Sequence, residues 1–187
     1  MISAVLDSCV LYSAPLRDFL LRLAFNGLVD PFWSEEIQNE WTRRLLLKRS
    51  DLKPDKLERT CREMDLYFPD GCIRGYESIT PTLRLPDPKD RHVLAVAIYA
   101  KAKYIVTFNL KDFPQPDLVF HQVEAISPDD FVLRVIEYDA KAFIDAVARH
   151  RTVLMHPPKT TNEYLETLEK QGLAKTVAFL RTRRAEI

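Results

Sequence analysis

The chain has 187 residues, of which 47% are hydrophobic and 29% are charged. This composition excludes a disordered chain and suits one complete hydrophobic core with an appendage. Lys and Arg number 27, as do Asp and Glu, which excludes a global basic field, so that any contact with nucleic acid must be local.

The cysteines and the hydropathy pattern indicate the compartment. Cys9, Cys61 and Cys72 are irregularly spaced and odd in number, which argues against a disulfide framework or a zinc knuckle. The sequence has no signal-peptide pattern and no uncharged stretch near the roughly 20 residues that a membrane span requires. We therefore expect a soluble, reduced, cytoplasmic protein without membrane association.

The N-terminal part begins with a strand and continues with helices. Ile2–Leu6 is a short apolar run that ends at Asp7, a pattern typical of a strand buried on both faces of a parallel sheet. Helices are predicted from Pro15 to Asn26, from the cap residue Ser34 onward, and over residues 53–68.

A second strand follows a helix rich in small residues. That helix is predicted from Asp90 to about Ala102, and the strand "YIVTFN" comes next, with Asn109 beyond its end. Strands separated by helices imply parallel pairing with right-handed crossovers, which gives a three-layer α/β sandwich. Functional sites in such sheets lie at the carboxyl ends of the strands, which is where Asp7 and Asn109 lie.

The composition changes near Ser127. "SPDDF" is a helix-opening signal, and helices are predicted over residues 129–153, over residues 164–171 and from Leu173 onward, with a loop at 156–158. Thr160 and Glu163 have the spacing of a capping box. We predict two domains, a sheet domain over residues 1–127 and a helical appendage over residues 128–187.

Four acids lie where this outline brings chain ends together. They are Asp7, Glu40, Asp90 and Asp112. Clustered carboxylates repel one another unless a cation lies among them, and oxygen ligands without Cys or His favour Mg²⁺, with Mn²⁺ as the second choice. Taken singly, each acid also has an ordinary interpretation, such as a helix cap for Asp90 or a solvent-facing position for Glu40.

Four segments carry a family resemblance. "VLDSCVL", "SEEIQNEW", "DPKDRHVLAVAIYAKAKYIVTFNLKDFP" and "ISPDDF", in this order, resemble the PIN-domain ribonucleases and most closely the VapC-type toxins of toxin–antitoxin operons. The resemblance covers about residues 1–131. It implies a PIN-like three-layer α/β/α sandwich with a parallel sheet, and some VapC-type proteins carry a similar C-terminal helical extension.

The resemblance also implies roles for individual residues. Asp7, Glu40, Asp90 and Asp112 would be the catalytic metal ligands, and the residues that would support them are Ser8, Thr107 and Asn109. Glu35 and Glu36 are alternatives to Glu40 as the second acid, because they precede it on the same predicted helix. Asp87 is the alternative to Asp90 as the third acid, because it lies three residues earlier.

The remaining candidates are basic and aromatic residues. Three basic residues follow Glu40, namely Arg43, Arg44 and Lys48. They either bind RNA phosphates or form an ordinary solvated helix face. His92 is given no role, because a histidine in a packed helix is more often exposed or hydrogen-bonded for structural reasons. The aromatic residues expected in the core are Phe32, Trp33 and Trp41.

The resemblance implies a Mg²⁺-dependent endoribonuclease that cuts single-stranded RNA regions, as the toxin of a type II toxin–antitoxin module with a cognate antitoxin protein. Assembly into a homodimer is left open. The alternative is a non-catalytic PIN-like module that binds RNA or protein. A haloacid-dehalogenase-type phosphatase is excluded, because Cys9 stands where the second Asp of its Asp-x-Asp motif would be. A phosphoryl-accepting domain would need a second acid beside Asp7 and a late-strand Lys, and both are missing.

Overall fold

The register of a parallel sheet determines which residues leave it together. In the computed structural model, which describes residues 1–154 and 157–187, the sheet among these residues has the order β2-β1-β3-β4. The strands are β1 (Ile2–Leu6), β2 (Val29–Phe32), β3 (Tyr104–Val106) and β4 (Glu124–Ile126). β1 and β3 run parallel and pair Leu6 with Val106. Asp7 and Thr107, the next residue on each strand, therefore leave the sheet side by side.

Helices separate the strands along the chain and make up most of the C-terminal part. In chain order, the helices of the described residues are α1 (Ser8–Leu11), α2 (Ala14–Phe25), α3 (Glu35–Lys48), α4 (Pro54–Tyr67), α5 (Arg91–Ala100), α6 (Gln115–Leu118), α7 (Pro128–Tyr138), α8 (Ala140–Val153), α9 (Thr161–Lys170) and α10 (Ala174–Thr182). Within the described part of the chain, no helix is long and apolar enough to cross a membrane.

The chain divides into two compact units. The sheet unit comprises Ser3–Tyr12 and Asp30–Ile126, and the helical unit comprises Met1–Ile2, Ser13–Val29 and Ser127–Ile187. α2 thus belongs to the same unit as α7 to α10, although more than 100 residues separate them in the sequence. The division at residues 127 and 128 drawn from the sequence stays a prediction.

Local signals fix the helix ends that the sequence predicts. The Ser34 hydroxyl accepts a hydrogen bond from the Ile37 amide at 3.2 Å, which caps α3. α2 has a proline in its first turn and is followed by Gly27, whose φ of 74° is a conformation that favours glycine. The capping box between Thr160 and Glu163 is present at the start of α9.

Some predicted elements differ in extent. The strand predicted as "YIVTFN" ends at Val106, and the hydroxyl of the next residue, Thr107, donates to Asp7. The helix predicted over residues 129–153 is two helices, since the Asp139 carboxylate caps α8 by accepting the Ala142 amide at 2.9 Å. The predicted loop at residues 156–158 includes His156, which lies outside the described residues.

The helical unit has a core of its own around α2. Phe19 of α2 packs edge-to-face on Phe143 of α8, with ring centroids 6.4 Å apart. His150 of α8, which is 3% exposed, makes hydrogen bonds of 2.9 Å to Asp18 and to the Tyr164 hydroxyl. These contacts bury the apolar face of α2 against α8 and α9.

Candidate active site

The Asp7 carboxylate is the most buried acid of the site. Asp7 follows β1, is 6% exposed, and accepts hydrogen bonds at Oδ2 from the Thr107 hydroxyl at 2.7 Å and the Cys9 thiol at 3.0 Å. It stands at the N-cap position of α1, yet its side chain makes no capping hydrogen bond. Its side chain therefore binds side chains at the end of β3 and in α1 rather than the backbone amides that begin α1.

Cys9 and Thr107 form the support beneath Asp7. The Cys9 sulfur also accepts the Phe108 amide at 3.3 Å, and the Thr107 hydroxyl accepts the Asn109 amide at 3.0 Å. Burial and the neighbouring Asp7 charge raise the pKa of the Cys9 thiol to about 12. The thiol therefore remains a protonated donor to Asp7 at neutral pH.

Glu40 is oriented from the other side by α5. Its Oε1 lies 3.0 Å from Nε2 of His92, a side chain that is only 3% exposed. Burial raises the pKa of Glu40, but the hydrogen bond and charge of His92, a hydrogen bond from Ser8 and the charge of Arg44 outweigh it and lower the pKa. Glu40 is therefore held in its charged form.

Burial and the charges of the other acids raise the pKa of Asp90. It lies at the start of α5 and makes no side-chain capping bond. Burial, followed by the charges of Asp7, Asp87, Asp112 and Glu40, raises the pKa of Asp90 to about 6. The three other predicted acids thus share one electrostatic neighbourhood with Asp90.

The competing acids have other contacts. The Asp87 side chain is exposed and accepts the Lys89 amide at 2.9 Å, which caps the short 3-10 turn before α5. Glu36 accepts a hydrogen bond from the Tyr76 hydroxyl at 3.3 Å. Asp87 and Glu36 therefore have structural contacts of their own, whereas Asp90 has no capping bond.

Asp112 and Asn109 lie at the edge of the site. Asp112 ends a 3-10 turn that follows Asn109, and it is half-buried. The Asn109 side chain is exposed, and its backbone amide is the group that reaches Thr107. The loop after β3 therefore supplies one acid, whose charge acts on Asp90, and one backbone amide that binds Thr107.

The acids form a cluster rather than a preformed coordination sphere. Among the described residues, no three His, Cys, Asp or Glu side chains converge as metal ligands. The donor chemistry nevertheless fits a hard divalent cation, because the donors are carboxylate oxygens. Besides the effect of burial, their mutual repulsion is visible in the raised pKa of Asp90. A cation among them would relieve that repulsion.

The basic candidates are exposed and the aromatic candidates are buried. Arg43, Arg44 and Lys48 are exposed on α3, and the charge of Arg44 acts on Glu40. The Lys48 ammonium lies 5.9 Å from the centre of the Tyr12 ring. The aromatic residues predicted for the core are buried, namely Phe32, Trp33 and Trp41.

Sequence reasoning gave no role to two residues that contact the acids. From the sequence alone, Cys9 argues only against other classes of protein, and His92 is expected to be exposed or hydrogen-bonded for structural reasons. The available signal was weak in both cases, because Cys9 lies two residues after Asp7 and His92 two residues after Asp90. Neither spacing reveals that each side chain reaches a carboxylate.

Comparison with known proteins identifies the family. The model described as "PIN domain" matches residues 3–111. The chain belongs to the PIN domain family. The model described as "VapC50 C-terminal domain" matches residues 128–182. The PIN-like α/β fold with a parallel sheet and helical C-terminal part, predicted from the sequence, is confirmed.

One curated relative matches part of this PIN protein. It is named "Putative ribonuclease VapC50", comes from Mycobacterium tuberculosis, and is 39% identical over 83 residues. These residues are 44% of the chain and 49% of the relative, so that the chain spans about half the length of the relative it matches. No solved structure matches the chain significantly.

Proposed function

We propose that the protein is a divalent-metal-dependent endoribonuclease that cuts single-stranded regions of RNA and acts in the cytoplasm as the toxin of a type II toxin–antitoxin module. Membership of the PIN family and the name of the mycobacterial relative support this proposal. The observation that carries it is that the charges of Asp7, Glu40 and Asp112 all act on Asp90, with Asp7 at the carboxyl end of β1. Active sites of parallel sheets lie at this edge.

The residues that would hold the metal are Asp7, Glu40, Asp90 and Asp112, with Mg²⁺ as the expected ion and Mn²⁺ as the alternative. When bound, such an ion neutralises phosphate charge and lowers the pKa of a coordinated water. Thr107 and Cys9 keep the Asp7 carboxylate in place, and Ser8 bonds to Glu40. The Asn109 backbone amide binds the Thr107 hydroxyl, and its side chain is exposed.

RNA would be held by local charge on α3. Arg43, Arg44 and Lys48 follow Glu40 by three, four and eight residues, a spacing that places them on the same helix face. Basic side chains on that face would bind phosphates and position the RNA without reading its sequence. The zero net charge of the chain makes such a local contact necessary.

The proposed toxin needs an antitoxin. A group of acids with a buried Asp7 is suited to an arginine from a partner, which would pair with the carboxylates and block the site. A small neighbouring reading frame that encodes a DNA-binding protein would support this role. A second copy of the chain as a partner stays a prediction. The alternative, a non-catalytic binding module, would gain nothing from placing mutually repelling acids around Asp90.

Asp7→Asn tests the catalytic assignment. We expect it to lower the rate of cleavage of mixed-sequence single-stranded oligoribonucleotides in Mg²⁺ or Mn²⁺ by more than about 100-fold. This loss is larger than the roughly 10–100-fold loss that follows removal of a residue that only orients a metal ligand. Induction of the wild type in a bacterial host should arrest growth, and induction of Asp7→Asn should not.

Asp87→Asn is the matched control, because it replaces a neighbouring acid and keeps an oxygen that accepts the Lys89 amide. It should cleave at close to the wild-type rate, and EDTA should abolish cleavage by both proteins. Equal cleavage by wild type and Asp7→Asn, in preparations free of contaminating nuclease, would refute the assignment. Calorimetry that detects no Mg²⁺ or Mn²⁺ binding at millimolar concentration would refute the metal dependence.

A further inference from the structure

We propose that His92 is a positioning residue that holds the Glu40 carboxylate in place among the acids, an inference that rests on the proposed function. His92 contributes no carboxylate and acts through Glu40. Its bond to Glu40 links α5 to α3 across 52 residues of sequence.

The two partners differ in how firmly they are held. The His92 side chain is 3% exposed and its ring is fixed in the packed first turns of α5, whereas the Glu40 side chain is 37% exposed. At 3.0 Å, the contact between Nε2 and Oε1 is a well-formed hydrogen bond. His92 is therefore the fixed member of the pair, and it limits the rotamers open to Glu40.

The other ring nitrogen argues against a purely structural role. Nδ1 of His92 is buried without a hydrogen-bond partner, and Glu36, the acid nearest to it, is 3.7 Å away. A buried polar nitrogen without a partner destabilises a fold, and an apolar side chain at this position would avoid that penalty. What His92 provides and an apolar residue does not is its hydrogen bond to Glu40, beside the longer contact with Glu36.

The position of His92 on α5 sets the relation between two acids. Asp90 precedes His92 by two residues at the start of the same helix. α5 thus presents one acid directly and fixes a second through His92. Partners of this kind, which orient a ligand without binding the metal, contribute about 10–100-fold to metal affinity or activity.

His92→Leu and His92→Gln test the inference. By calorimetric titration with Mn²⁺, His92→Leu should bind the ion about 10–100-fold more weakly than wild type and should cleave RNA more slowly to a similar extent. His92→Gln should recover part of both losses, because its amide N–H can donate to Glu40. In the Glu40→Gln background, His92→Leu should cause no further loss, since the group it positions is absent.

A spectroscopic measurement without metal tests the contact itself. Glu40→Gln should shift the ¹⁵N resonance of the His92 ring and leave that of His150 unchanged. His150→Leu is the matched control, because His150 is equally buried and lies 2.9 Å from Asp18 in the helical unit. It should lower the unfolding midpoint and leave Mn²⁺ affinity unchanged.

Three outcomes overturn the inference. If folded His92→Leu binds Mn²⁺ and cleaves like wild type, His92 does not position Glu40. If His92→Leu and His150→Leu weaken Mn²⁺ binding equally, the effect is one of general stability. Should His92→Leu fail to fold, His92→Met replaces it in the same comparison. If the wild type neither binds Mn²⁺ nor cleaves RNA, the proposed function fails, and the inference fails with it.

Discussion

At the scale of single residues, Thr107 connects the two strand ends that frame the site. It is fully buried, donates to Asp7 at 2.7 Å and accepts the Asn109 amide at 3.0 Å. Its hydroxyl therefore donates one hydrogen bond to a carboxylate and accepts another from a backbone amide. The side chain is fixed in space by the pairing of Leu6 with Val106 immediately before it.

Thr107→Val should separate the hydroxyl from the volume of the side chain. We expect the metal-free protein to lose about 1–3 kcal/mol of unfolding free energy, because Asp7 and the Asn109 amide each lose a hydrogen bond. Urea unfolding measures this loss, and Mn²⁺ titration should show weaker binding. Thr107→Ser, which keeps the hydroxyl, is the control and should bind Mn²⁺ nearly as wild type does. Unchanged stability and affinity in Thr107→Val would show that Cys9 alone suffices to hold Asp7.

The sequence indicates some of these residues and not others. Asp7 stands out because it ends a buried apolar run, and strand ends are where sites of parallel sheets occur. His92 does not stand out, because no local pattern shows that a helix 52 residues away brings Glu40 to it. Contacts between elements distant in the chain depend on packing, which hydrophobic periodicity does not encode.

At the scale of elements, two edge strands were not predicted from the sequence. β2 has the sequence VDPF, and its Pro31 is tolerated because β2 lies at the edge of the sheet. β4 has only three residues and begins with a glutamate. The two central strands, β1 and β3, were found because burial on both faces leaves a continuous apolar run.

The junction between α7 and α10 depends on one buried acid. Asp129 is 8% exposed and accepts three hydrogen bonds, from the Lys175 amide at 2.8 Å, the Thr176 amide at 2.9 Å and the Thr176 hydroxyl at 2.7 Å. It thus satisfies amides in the first turn of α10 from a different helix. Its neighbour Asp130 is more exposed and pairs with the Lys175 ammonium and the Ser127 hydroxyl.

Asp129→Ala should lower the unfolding free energy by about 2–3 kcal/mol, because three donors lose a charged acceptor. Asp130→Asn, the control at the adjacent position, should cost at most about 1 kcal/mol, as expected for an exposed ion pair. Chemical denaturation of both variants measures the difference. A loss in Asp130→Asn as large as that in Asp129→Ala would show that the surface pair, and not the buried acid, secures α10.

At the scale of the whole molecule, the order of the chain and its compact units do not coincide. α2 lies between β1 and β2 in the sequence but belongs to the helical unit with α7 to α10. The predicted division into residues 1–127 and 128–187 separates α2 from these helices. The four predicted acids all lie in the sheet unit. We therefore propose that residues 1–127 carry the chemistry, although α2, which lies within that range, packs with the C-terminal helices.

Deleting residues 128–187 should expose the apolar face of α2 without removing a predicted ligand. Phe19 would lose Phe143, Asp18 would lose His150, and Asn26 would lose the Arg149 guanidinium that donates to it at 3.1 Å. We expect the shortened chain to bind a hydrophobic dye and to aggregate, as exposed apolar patches do. Residues 128–187 supplied as a separate chain should restore solubility and metal-dependent cleavage.

The same separate chain carrying Phe143→Asp is the matched control and should restore less, because the charge would face Phe19. Light scattering, dye binding and cleavage are to be measured on the same samples. A shortened chain that stays monomeric and binds no dye would show that α2 does not need the C-terminal helices. A soluble reassembled protein that binds Mn²⁺ but does not cleave would mean that an unbroken connection between the two segments is needed to place RNA at the acids, and the proposed division of chemistry would then be wrong.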